Sequence, residues 1–201
     1  KVDLKPIASE VKAGLSRLKK ANAMVTREPG GTRIGEEIRA ALLHGGDVPA
    51  RTELLLMVAA RAAFVSEVVR PALAEGIVVV ADRYELSTFA YQGYGRGLPL
   101  EEVRQVNAFG TAGLKPDLTI VLDVSVEEGV ARRSQAGAAA DRIERAGEAF
   151  HREVARAYRL LSESEADVEV VAGRGEPHDV HAAILRLLAG RFPETFASAQ
   201  G

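Results

Sequence analysis

Apolar positions along this chain recur with two alternating periods, about 3.6 residues and 2 residues, and that alternation predicts an α/β fold: a parallel sheet with helices packed on both faces. Ile7, Val11, Leu15 and Leu18 share one stripe, with lysines opposite, which predicts an amphipathic helix from about Ile7 to Lys20. A short strand, Ala23-Met24-Val25, runs into the turn Thr26-Arg27-Glu28-Pro29-Gly30-Gly31. Helical spacing returns over Ile34 to Leu43 and over Arg51 to Ala74, where Pro71 should kink or break the helix. Gly76 closes that stretch and opens a buried strand to Ala81, and further buried strands are expected at Leu118–Asp123 and Val168–Val171. Leu100–Thr111, about Arg145 to Ser162 and about Val180 to Leu188 read as helices. Between the last two strands, after Val126 to Arg133, the small-residue patch Ala136-Gly137-Ala138-Ala139-Ala140 reads as the tip of a lid spanning about 132–145. Residues 1–201 are thus expected to form one domain with a small lid.

Composition narrows what such a domain can be. A chain of 201 residues buries roughly 70% of its unfolded surface, enough for a full core. The formal net charge of -2 argues against a general nucleic-acid or membrane-surface binder, so any basic site must be local. No apolar run approaches the roughly 20 residues that span a bilayer, and cytoplasm is the expected location. The absence of cysteine excludes disulfides, thiolate catalysis and cysteine-ligated zinc. His178 and His181 could share a helix face, but without a carboxylate partner they read as solvated surface.

The chemistry concentrates where the strand ending in Val78-Val79-Val80 delivers Asp82-Arg83 to its carboxyl end. Ligands of open α/β sheets bind at that end, and a guanidinium there can grip a phosphate through two parallel charge-assisted hydrogen bonds. Ser87, Tyr91 and Gln92 follow with hydroxyl and amide groups suited to a sugar or base. This stretch reads as a nucleotide-monophosphate site. Pro29 and the two glycines after it form a turn whose backbone can approach a ligand.

Thr26-Arg27-Glu28-Pro29-Gly30-Gly31-Thr32, Glu53-Leu54-Leu55-Leu56 with Arg61, Asp82-Arg83-Tyr84, Ser87 through Gly93, and Asp141-Arg142-Ile143-Glu144 together resemble the bacterial thymidylate kinases, in order and in spacing, over about Ile7 to Leu188. The resemblance implies a nucleoside-monophosphate kinase of the P-loop class, normally a homodimer, that transfers the γ-phosphoryl group of ATP to dTMP with Mg²⁺. On that likeness Arg83 and Arg27 hold the acceptor phosphate, where charge accumulates during transfer. Arg61 donates to a thymine carbonyl, Tyr91 packs under the deoxyribose, and Ser87 and Gln92 add polar contacts near base and sugar. Asp82 and Glu28 orient arginines or magnesium-bound water, with Asp123 after the next strand as a weaker candidate. Arg132, Arg133 and Arg142 bracket the lid and bring positive charge to the donor, and Arg174 follows the last strand beside the adenine pocket. The helix from Arg51 to Ala74 is the expected dimer interface.

Three departures accompany the resemblance. No Gly-x-x-x-x-Gly-Lys-Ser/Thr loop occurs in the chain, and the strand that would precede it is missing too, so a further segment is expected upstream. Met57 stands where the family usually places a phenylalanine against the thymine ring, which keeps apolar contact but loses ring stacking worth about 0.5–1.5 kcal/mol. The lid tip also lacks the arginine that many bacterial relatives carry. Two alternatives stay open on these grounds: a kinase for another deoxynucleoside monophosphate, and a homologue that binds dTMP or dimerises without catalysis.

Overall fold

The structure is a computed structural model and describes residues 23–124 and 141–196, apart from the side chain of Glu144. The expected helix of residues 7–20, the upstream region, the segment 126–133 with Arg132 and Arg133, and the small-residue patch 136–140 lie outside the described residues.

Strand β1 (Ala23–Arg27) leads into helix α1 (Arg33–His44). Thr32 caps α1, its hydroxyl oxygen accepting from the Gly35 N–H at 3.0 Å, and Glu36 in the first turn complements the positive end of the helix. Helix α2 (Ala50–Phe64), a π-helical turn (Val65–Val69) and α3 (Arg70–Ala74) then follow without a break. Pro71 therefore does not end the helix. It sits at the start of α3, after a wide turn in which the Arg70 N–H reaches the Val65 carbonyl, and the widening absorbs the donor that proline lacks. Gly76, at φ 72°, turns the chain into β2 (Val78–Asp82).

After β2 the chain forms α4 (Glu85–Thr88) and a second π-helical turn (Phe89–Gly95), then α5 (Leu100–Thr111) and β3 (Thr119–Asp123). A short 3₁₀ turn (Glu144–Ala146) precedes α6 (Glu148–Ser164), β4 (Val168–Ala172), α7 (Pro177–Arg191) and α8 (Pro193–Phe196).

β1 pairs in parallel with β2, Ala23 opposite Val78 and Arg27 opposite Asp82; β3 pairs in parallel with β4, Thr119 opposite Val168. The strand residues, expected to be buried, are mostly half-buried. Alternation along β3 gives the layers. Val121 packs into a core with Leu54, Val58, Phe89, Val103, Phe150 and Leu161, whereas Ile120 and Leu122 pack on the other face with Val180 and Ile184 of α7. Val78 and Val80 of the first pair join Ile120 and Leu122 in that second cluster, so α7 packs against both pairs. Parallel strands with helices on both faces give the expected α/β architecture. Among the described residues no helix is long and apolar enough to cross a membrane.

Candidate active site

Because Arg27 stands opposite Asp82, the residues that follow each strand emerge side by side, and the Glu28 N–H extends the ladder to the Asp82 carbonyl at 2.9 Å. Arg83 leaves β2 at φ 73°, in the left-handed region that a side chain disfavours. Its guanidinium reaches the Ser87 Oγ at 3.4 Å and the Tyr91 hydroxyl at 3.5 Å, lying 5.1 Å from the Tyr91 ring centre. Among the described residues no carboxylate stands at ion-pair distance from it. Tyr91 chiefly, with Tyr158 and Asp82, holds its pKa above the ordinary guanidinium value against the opposing effect of burial. Tyr158 closes the group, its hydroxyl 2.8 Å from Ser87 Oγ and its ring edge-on to Tyr91; burial raises its pKa and keeps the hydroxyl neutral.

A second cluster forms one helical face away. Arg61, only 3% exposed, donates through Nε to Glu28 at 2.6 Å, through Nη1 to Asn107 at 2.5 Å and through Nη2 to Thr88 at 2.9 Å, and lies over the Tyr84 ring. Arg61, expected to need a partner in its apolar stretch, thus has three, which engage three of its five N–H groups. Burial raises the pKa of Glu28 against the pull of Arg61, and its second oxygen, Oε2, is buried without a hydrogen bond.

The third cluster is built on Glu53, which has no exposed surface. Gln92 Nε2 donates to it at 2.8 Å, Arg96 reaches both its oxygens at 3.1 and 3.0 Å, and Arg142 donates at 2.6 Å. Burial acts to raise its pKa, but the donors of Arg96, Gln92 and Arg142 outweigh it and hold the carboxyl below its ordinary value. Arg142, expected at the lid, is turned inward here, its Nε also donating to the Leu42 carbonyl at 2.8 Å. Beside this cluster a cavity of about 280 Å³ is lined by Gly45, Gly46, Asp47, Arg96, Arg142 and Arg145.

All three clusters attach to the helical stretch 85–95: Ser87 and Tyr91 to the first, Thr88 to the second, Gln92 to the third. Arg27 lies more outward, donating to both oxygens of Glu36 at 3.1 Å, and Arg39 bonds the Pro29 carbonyl at 3.0 Å. Met57 is half-buried against the core between Glu53 and Arg61. Asp123 and the exposed Arg174 stand at the other strand pair's carboxyl end, where the Gly173 N–H bonds the Asp123 carbonyl at 3.0 Å. Among the described residues no three acidic or histidine side chains are grouped to hold a metal ion. Sequence reasoning gave no role to Glu53 and Thr88, which it named only within the motifs of the resemblance, and did not single out Arg96, Asn107 or Tyr158. A charge in an apolar helical stretch, the signal that exposed Arg61, does not mark Glu53, which follows the polar Arg51 and Thr52.

A family model described as thymidylate kinase matches residues 7–184. The chain is 42% identical over 194 residues to the thymidylate kinase of Lactobacillus delbrueckii subsp. bulgaricus, covering 94% of this chain and 92% of that protein. It is 46% identical over 171 residues to the thymidylate kinase of a Synechococcus species, covering 85% and 81%. Among solved structures, the crystal structure of thymidylate kinase from Ehrlichia chaffeensis superposes with a TM-score of 0.74 at 24% identity, covering 91% of this chain and 90% of that one. That likeness shows a shared fold.

Proposed function

The chain belongs to the thymidylate kinase family, and from that premise we propose that it phosphorylates dTMP to dTDP with ATP, with the acceptor held by the three clusters around residues 85–95. Arg83 carries the site assignment. A guanidinium kept charged, held in a disfavoured backbone conformation and bonded, among the described residues, only to hydroxyls calls for an anion from outside the chain. The acceptor phosphate supplies that anion, and Arg27 lies one strand away to share it. Tyr91, fixed by Tyr158 and Phe150, offers its ring to the deoxyribose, and Ser87 stands beside Arg83. Met57, Arg61, Thr88 and Gln92 form the floor for the base.

ATP and Mg²⁺ supply the phosphoryl group and neutralise its oxygens when bound. The unpartnered Glu28 Oε2 and the adjoining Asp82 are acceptors of the kind a magnesium-bound water requires. Arg132 and Arg133 are proposed for the donor side. Arg142, held by Glu53, positions neighbouring groups. The exposed Leu55 and Phe109, on the packed helices α2 and α5, favour a homodimer through that face.

The test is ADP formation from ATP and Mg²⁺ with and without dTMP, paired with thermal unfolding. Turnover should require dTMP, and dTMP at 100 times its Kd should stabilise the protein by about 2.7 kcal/mol. Arg83→Ala should abolish most of that stabilisation; an unchanged response would remove Arg83 from the acceptor site.

A further inference from the structure

Glu53, Met57 and Arg61 fall at i, i+4 and i+8 on α2, so they share one stripe. The helical stretch 85–95 lies across from it. Both ends of the stripe are tied over: Arg61 Nη2 to Thr88 Oγ1 at 2.9 Å, and Gln92 Nε2 to Glu53 Oε1 at 2.8 Å. Met57 lies between the two ties.

An ionised carboxylate has no hydrogen to donate. Glu53 also receives two guanidinium groups, from Arg96 and Arg142, and two cations on one buried carboxylate keep it ionised. Only the nitrogen end of the Gln92 amide can therefore face Glu53, and its carbonyl oxygen is the end left for a ligand.

We propose that Glu53 is a positioning residue for base choice: by fixing the Gln92 amide, it presents a hydrogen-bond acceptor to the base over Met57. The site thereby selects a ring with an N–H between two carbonyls and rejects cytosine, whose ring nitrogen at that place is itself an acceptor. The inference rests on the acceptor-site reading above and deepens it.

The experiment compares kcat/KM for dTMP, dUMP and dCMP at saturating ATP and Mg²⁺ in the full chain and in Glu53→Gln, Glu53→Asp and Gln92→Ala. In the unaltered protein dTMP and dUMP should be used and dCMP rejected. Glu53→Gln, whose amide tolerates either end of Gln92, should lower the dTMP preference over dCMP about tenfold or more, mainly through the KM for dTMP. Glu53→Asp keeps an acceptor-only group and should retain most of the preference. Adding Glu53→Gln to Gln92→Ala should cost no further preference, because both act through one amide. A folded Glu53→Gln that keeps the original preference within about twofold, while Gln92→Ala loses it, overturns the inference.

Should Glu53→Gln fail to fold, side-chain NMR of the unaltered protein decides. The Gln92 amide protons should stay bonded to Glu53 when dTMP binds, and their release to the ligand would overturn the proposal. Absence of dTMP turnover in the unaltered protein would instead defeat the function proposed above, and turnover with an unmoved preference would leave that function standing.

Discussion

A carboxylate with no exposed surface, as at Glu53, keeps its charge only while its donors stay in place. That makes its contribution depend on pH in a definite direction. The folded state lowers its pKa below the unfolded value of about 4.3, so its stabilisation is complete above that value and is lost as pH falls through the folded one. Below about pH 4.3 each unit of acidification should cost the folded state up to about 1.4 kcal/mol through this one group. Urea unfolding of the protein and of Glu53→Gln from pH 6 to pH 3 should show the difference between them shrinking on acidification; a constant difference would remove Glu53 from the acid response. The sequence exposed Arg83 because a local pattern, apolar strand then Asp-Arg, announces it. Glu53 stayed hidden because its partners lie 39, 43 and 89 residues away, and no periodicity within an element reports such pairings.

At the scale of elements, the alternating periods located the described strands and long helices within a few residues, and α5 at its observed bounds. The helical stretch 85–95 was read only as a string of polar contacts. Its glycines argue against a helix by propensity, yet at Gly95 the packing of α6 leaves no room for a side chain: a methyl there would stand 2.7 Å from Phe150 Cε2 and 2.9 Å from Val154 Cγ2. Tertiary contact overrode propensity there. The same logic governs the crossing of α2 and α5, where a methyl on Gly110 would fall inside van der Waals contact of Val58 Cγ1. Gly110→Ala should therefore destabilise the protein by roughly 1–3 kcal/mol despite alanine's better helix propensity, and Val58→Ala should recover part of it in the double variant. Chemical unfolding of the three variants measures this, and additive losses would mean the two helices do not meet there as described.

For the whole molecule, the proposed pairing of two copies rests on apolar side chains left outside: Phe109 is 89% exposed and Leu55 58% exposed. Phe109→Asp should shift the mass by light scattering toward half that of the parent at micromolar concentration, and a parent already monomeric there would refute the pairing. Arg83 bears on the whole molecule in a different way. Its left-handed backbone weakens the fold, and glycine at that position would relieve that strain. Arg83→Gly should therefore raise the unfolding temperature and, on the proposed role of Arg83, weaken the hold on the acceptor phosphate. On the proposed role, the arginine is a compromise between durability and work, exchanging backbone ease for a site already arranged before its substrate arrives.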